Sequence, residues 1–270
     1  IQQLGEGEFD SKIRVEGPAD LESLGRQLDW LRIRLVDLEE QKSRFLRHVS
    51  HELKTPLTAL REGVELLADE VTGKMTAGQL EIAQILKQNT LRLQRLIEDL
   101  LNYHTAQFQT AALTLSRFNL RAPVARIGQQ HSLAMRAKNL SLSVSGFDLD
   151  MEADEKKIEA IVDNLLSNAI KYSPMGGTIR VQLRRRGADV VVDIMDDGPG
   201  IPPVDRVRVF EPFYQSTTKH SGPVKGTGLG LAIVREFVLA HRGTAEVIED
   251  GNPGAHLRIV LPSRQMEIAA

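Results

Sequence analysis

The sequence predicts two architectures in series: an all-helical front half carried on leucine seams, then a two-layer α/β sandwich. Leu21, Leu24, Leu28, Leu31, Leu35 and Leu38 recur at alternating spacings of three and four, a heptad seam with charged residues between. Ile82, Leu86, Asn89, Leu93, Leu96, Leu100 and Tyr103 keep a second seam of the same kind. Past about Thr110, short Val- and Ile-rich runs alternate with amphipathic stretches, the order that suits helices packed on a sheet.

Composition bounds what such a chain does. Its 270 residues suggest about two domains. A net charge of -2 gives no basis for nucleic-acid binding, which needs a basic stripe. The chain has no cysteine, so disulfides, thiolate chemistry and Cys-based zinc sites are excluded. No apolar run approaches the roughly 18 residues of a membrane span, and no signal peptide is visible. The chain starts at Ile1 and reads as a fragment, itself soluble.

Ile1 to Pro18 is polar, with Gly5, Gly7 and Gly17, and with Phe9, Ile13 and Val15 alternating as in an extended connector. The first leucine seam argues for a parallel two-stranded coiled coil or a bundle, and it enters the next stretch without a Gly or Pro break. Near Thr72-Gly73-Lys74 the chain turns, and Thr76 with Gln79 has capping-box spacing for a second helix. Two antiparallel helices with apolar seams cannot bury both faces alone, whereas two such hairpins make a four-helix bundle. Farther on, the predicted elements are a strand over Leu113–Leu120, a helix over Arg121–Ala137 and a strand over Leu140–Val144. A helix from Asp154, ended by Pro174, follows, then strands over Thr178–Leu183 and Val190–Met195. A Gly- and Pro-rich interval leads to a helix over Leu229–His241 and strands over Ala245–Glu249 and His256–Leu261.

The chemistry concentrates first in Phe45 to Pro56. Phe45, Val49 and Leu53 form an apolar stripe, and His51 lies off it, so its imidazole is expected to face solvent. Neutral imidazole is a good nucleophile near pH 7. Glu52 can orient the ring or accept its proton, and Thr55 is one turn on, on the same face. Taken by itself, this is also the pattern of a surface histidine on an amphipathic helix.

Four later segments share one purpose. Asn164, Asn168, Lys171 and Tyr172 fall on one helical face. An Asn oxygen suits Mg²⁺, Lys171 offers a point charge for phosphate, and Tyr172 can cover a base. In Asp196-Asp197-Gly198-Pro199-Gly200, the Asp196 carboxylate can accept from the adenine 6-amino group, where guanine presents a carbonyl. Gly198 and Gly200 let the backbone pass close to a base, although Asp-Gly and Pro-Gly also mark plain turns. Phe210 and Phe213 anchor a lid or belong to the core. Gly226, Thr227, Gly228, Leu229 and Gly230 precede a helix, where backbone N–H groups meet phosphate oxygens favourably.

His51-Glu52-Leu53-Lys54-Thr55-Pro56 resembles the phospho-accepting box of sensor histidine kinases. The four later segments resemble, in order, the N, G1, F and G2 boxes of that family's catalytic domain, the Bergerat ATP fold shared with Hsp90, DNA gyrase and MutL. Asp20-Leu21, Leu24, Leu28-Asp29 and Leu31 resemble the second half of a HAMP signalling module, with Glu22 where that module often has Gly. Gln41 to Leu67 resembles the QseE/GlrK branch of envelope-sensing kinases.

The resemblance implies a partial HAMP connector over 1–40, a dimerisation and phosphotransfer domain over 41–110, and a catalytic ATP-binding domain over 111–270. It implies ATP and Mg²⁺, with Asn168 the main metal ligand, Asn164 nearby, and Lys171, Tyr172, Asp196, Gly198, Gly200 and the Gly226–Gly230 loop on the nucleotide. It also implies a homodimer, a response-regulator partner, and the cytoplasmic part of a bacterial inner-membrane protein anchored upstream. A chaperone- or topoisomerase-type ATPase would share the last domain but have no use for the His51 box. A scaffold that binds ATP without transferring it would show no acid-labile label.

Overall fold

The computed structural model describes residues 13, 15, 17–71, 73–108, 113–216 and 226–264. Within the helices, the side chains of 39–40, 42–43, 46–48, 50–51 and 105–108 lie outside that description. The chain divides into two compact units, Ile1–Ile97 and Glu98–Ala270.

The first unit is built from helix α1 (Ala19–Ala68) and most of α2 (Ala77–Phe108). The leucine seam and the His51 stretch lie on one uninterrupted helix of 50 residues, which continues through Pro56. One proline deletes one backbone bond, and the flanking turns hold the helix on either side. Asp20 and Glu22 occupy its first turn, where acidic side chains complement the helix dipole. Two described residues of the connector lie beside its start: Ile13 N–H donates to Asp29 Oδ1 at 3.0 Å, and Val15 lies against Gly25. A Cβ on Gly25 would come within 2.8 Å of Val15 Cβ, so glycine is what lets the two segments touch. The expected capping box opens α2: Gln79 N–H donates to Thr76 Oγ1 at 3.3 Å, and Thr76 N–H to Gln79 Oε1 at 2.9 Å. Leu57, Val64 and Ala83 are buried in the hairpin.

The second unit carries a five-stranded sheet. Its strands are β2 (Ser141–Gly146), β4 (Thr178–Arg186), β5 (Asp189–Met195), β6 (Thr244–Val247) and β7 (His256–Pro262), in the order β2-β4-β5-β7-β6. Of the four pairings in this sheet, β2–β4 is parallel and the other three are antiparallel. Alternation along the strands sends Ile179, Val181, Leu183, Val190, Val192, Ile194, Leu257, Ile259 and Leu261 into one core. Helices α3 (Arg121–Gln130), α5 (Glu155–Tyr172) and α6 (Gly230–Ala240) close that core through Val124, Ile158, Leu165, Leu166, Ile233 and Phe237. The opposite sheet face is polar and holds Arg184, Asp193, His256 and Arg258.

The second unit departs most from the sequence reading in three places. The predicted strand over Leu113–Leu120 shortens to β1 (Ser116–Asn119), which pairs with an unpredicted strand, β3 (Asp150–Ala153). The helix expected over Arg121–Ala137 breaks into α3 and α4 (Ser132–Ala137) at His131, whose Nε2 lies 2.7 Å from Asp163 Oδ1. Strand β4 runs three residues beyond its predicted end, to Arg186.

Candidate active site

Helix α5 carries the polar face expected of it. Asp154 caps its start, accepting from Lys157 N–H at 3.2 Å and Lys157 Nζ at 2.9 Å. Burial pushes the Asp154 carboxyl up, but donors from Lys157 and Thr114 outweigh it and leave the group below the ordinary aspartate value. At the other end Lys138 Nζ donates to the carbonyls of Ile170 (2.9 Å), Lys171 (2.8 Å) and Ser173 (3.3 Å). An ammonium group there satisfies the last open carbonyls and suits the negative end of the helix dipole. The sequence reading missed Lys138, whose role exists only once residue 138 meets 170–173.

The glycine loop is pressed against this face. A Cβ on Gly230 would lie 2.7 Å from Asn164 Oδ1, and one on Gly226 would lie 2.8 Å from Lys171 Nζ. Lys171 Nζ also sits 4.8 Å from the Tyr172 ring centroid. Asn164 Nδ2 donates to Ala160 O at 2.8 Å, which turns its carbonyl oxygen toward the glycine loop. The structure thus brings Asn164, Lys171, Gly226 and Gly230 together, with Asn168 one turn from Asn164 and partly exposed.

Inside the loop, Leu229 is fully buried, so only its backbone can face a ligand. Thr227 Oγ1 donates to Asp99 Oδ2 at 2.7 Å and accepts from Leu229 N–H at 3.3 Å. Gly228, at φ 78, accepts from Phe213 N–H at 2.9 Å. Of the two aromatic candidates, Phe210 is buried in the core and Phe213 is exposed.

The two adjacent aspartates are distinguished by their partners. Asp197 Oδ2 accepts from Thr178 N–H at 2.8 Å and its Oδ1 from Arg180 at 2.9 Å, so it clips the start of β4. Asp196 Oδ1 accepts from Gly198 N–H at 2.7 Å and Ala255 N–H at 3.2 Å. Among the described residues no donor reaches its Oδ2. Burial pushes the Asp196 carboxyl up, the two amides pull it down, and the neighbouring Asp197 charge pushes it up again; the net direction is upward. A Cβ on Gly198 would meet Asp196 Oδ1 at 2.6 Å, so the tight turn requires glycine. Gly200 has φ 74 and lies against Pro253 O.

In the first unit the backbone of His51 is helical, while its ring lies outside the described residues. Glu52 and Thr55 are exposed on the same helix.

Residues 41–108 match the His Kinase A (phospho-acceptor) domain, and residues 153–265 match the histidine kinase-, DNA gyrase B-, and HSP90-like ATPase family. The sensor histidine kinase GlrK of Escherichia coli strain K12 is 39% identical over 264 residues, 97% of this chain and 55% of that protein. The chain therefore spans about half the length of this curated relative. The mycobacterial sensor histidine kinase MprB structure is 34% identical, with a TM-score of 0.50, over 56% of this chain and all of that one. Full-length ShkA, solved in complex with AMPPNP, aligns at a TM-score of 0.68 and 26% identity over 83% of this chain and 46% of that chain.

Proposed function

We propose a working cycle for this chain from one premise: it belongs to the sensor histidine kinase family. ATP binds on the second unit, with the adenine amine on Asp196 Oδ2 and the phosphates along Lys171 and the Gly226–Gly230 loop. The observation that carries this reading is the approach of that loop to α5, where a Cβ on Gly226 or Gly230 would strike Lys171 Nζ or Asn164 Oδ1. Backbone donors, a lysine and an amide oxygen then converge where phosphates need them.

Mg²⁺ fits this donor set. Among the described residues no cluster of three His, Cys, Asp or Glu could hold a metal on its own. An amide oxygen from Asn168, with Asn164 behind it, suits a hard cation that keeps several waters and is held mainly by substrate phosphates. When bound, the ion neutralises charge on the transferred phosphoryl group.

His51 then attacks the γ-phosphorus in line, forming an N–P bond as the bond to the ADP oxygen breaks. Glu52 takes the imidazole proton. The phosphoryl group passes to an aspartate of a response regulator. Thr55 holds water for the reverse hydrolysis of the phospho-regulator. Residues 1–40 serve as a partial HAMP connector and signalling helix, 41–110 as the dimerisation and phosphotransfer domain, and 111–270 as the catalytic domain. In this reading the chain is the cytoplasmic portion of an inner-membrane sensor; among the described residues no helix is long and apolar enough to cross a membrane.

Labelling with γ-³²P-ATP tests the cycle. His51→Gln should abolish acid-labile label and leave ATP affinity within about twofold, because acceptor and nucleotide sites belong to separate units. Full labelling of the variant would move the acceptor elsewhere, with His48 the first suspect.

A further inference from the structure

We propose that His256 is a positioning residue for the base reader: held between Asp193 on the sheet and Asp250 on the 248–255 loop, its doubly protonated ring keeps that loop against Asp196. The proposal rests on the assignment of Asp196 to adenine made above.

His256 begins β7 and is buried. Its Nε2 lies 2.7 Å from Asp193 Oδ1 and its Nδ1 lies 2.8 Å from Asp250 Oδ2. An ionised carboxylate only accepts hydrogen bonds, so both contacts are satisfied together only if both ring nitrogens carry protons. Both carboxylates are held in the ionised form. For Asp193, burial pushes up, but donors from His256, Arg184 and Arg258 outweigh it. For Asp250, hydrogen bonds from Asn252 and then His256 bring the group down to about 2.

The loop anchored by Asp250 supports the base site directly. Asn252 N–H donates to Asp250 Oδ1 at 3.0 Å, Asp196 N–H donates to Ala255 O at 3.0 Å, and Ala255 N–H returns a bond to the Asp196 carboxylate. A Cβ on Gly254 would lie 1.6 Å from Asp196 O, so the two backbones are in contact. One of the two amides that orient the Asp196 carboxylate therefore belongs to the residue beside His256.

The charged groups around the ring fix the sign of the effect. Asp193 comes from β5, Arg184 from β4, Arg258 from β7 itself and Asp250 from the loop. The Arg206–Glu249 pair lines the adjacent hollow of about 300 Å³, together with Gly200, Asp250 and His256. When the ring loses a proton as pH rises, one carboxylate faces a lone pair. Two guanidinium groups still hold Asp193, so Asp250 is the partner that lets go. Nucleotide affinity should fall when that proton is lost.

ADP calorimetry on the whole chain, from about pH 6 to 8, tests this. Titration of ADP itself is common to all the proteins compared. His256→Gln and Asp250→Asn should each weaken binding, by about tenfold at low pH, the lower end for loss of a charge-assisted bond. Each should also lose the extra pH dependence of the unmodified chain. Asp250 lies at the loop surface, so its variant decides the matter even if His256→Gln does not fold. Unchanged affinity in Asp250→Asn, or a weakening that runs parallel to the unmodified chain at every pH, overturns the proposal. Asp196→Asn is measured beside them. If it binds ADP normally, the adenine assignment falls and this proposal with it; if it binds weakly while Asp250→Asn binds normally, only the His256 proposal falls.

Discussion

The two units bury their apolar residues in different ways. In the second, buried side chains from sheet and helices form one continuous core, with Leu120, Leu165, Ile179, Leu183, Leu229, Ile233 and Ile259 almost wholly shielded. In the hairpin, Leu57, Val64 and Ala83 are buried, while Leu53, Leu60, Leu86 and Leu93 stay exposed along the same helices. A sheet covered by helices closes its core within one chain. Two helices have more apolar stripe than they can cover for each other, a surface that the proposed second hairpin would bury. The proposed dimerisation thus falls on the unit that carries His51, while the other unit closes its core with its own residues.

The strongest way to break that contrast is to charge the open seam. Leu60→Asp with Leu93→Asp should convert a dimer to a monomer in sedimentation velocity. Each lost leucine removes about 1.5–3 kcal/mol of burial per chain before the cost of the charge is counted. ADP affinity should remain within about twofold, since both substitutions lie in the other unit. A variant that stays dimeric would show that another surface holds the copies together.

Acid should act selectively on the closed core. Asp154 and Asp193 both have folded values below the ordinary aspartate value of about 3.9. A lowered carboxylate contributes stability above its unfolded value and loses it as pH falls through the folded one. The melting temperature of the nucleotide unit should therefore drop below about pH 4, with no comparable gain at higher pH. Asp154→Asn should cost about 1 kcal/mol near neutrality, by weakening the charged cap, and flatten part of that acid limb. Calorimetry across the acid range gives both slopes.

The smallest structural change probes the two activities proposed for one helix. Thr55→Ala removes an exposed hydroxyl one turn from His51. It should preserve autophosphorylation, where imidazole is the nucleophile, and lower phosphatase activity, where water must be held in line. Rates measured on one preparation separate this from distortion near Pro56. Parallel loss favours distortion, and an intact phosphatase removes Thr55 from the water-holding role.

Much of this protein was readable without coordinates, because its signals are local. The seams that make α1 and α2 repeat within one or two turns, and the Thr76–Gln79 cap spans three residues. The face shared by Asn164, Asn168 and Lys171 follows from helical spacing alone, as does the placing of His51 and Thr55 one turn apart. Tertiary structure decided what depends on residues distant in sequence. Strand β3 exists because Met151 pairs with Phe118, and its own four residues carry no strong strand pattern. His131, where the helix breaks, meets Asp163, 32 residues on; Lys138 caps carbonyls 32 to 35 residues away; and His256 meets Asp193, 63 residues earlier. Local periodicity specifies which face a side chain occupies on its own element. Which charge it meets there is set only when the sheet register brings the strands together.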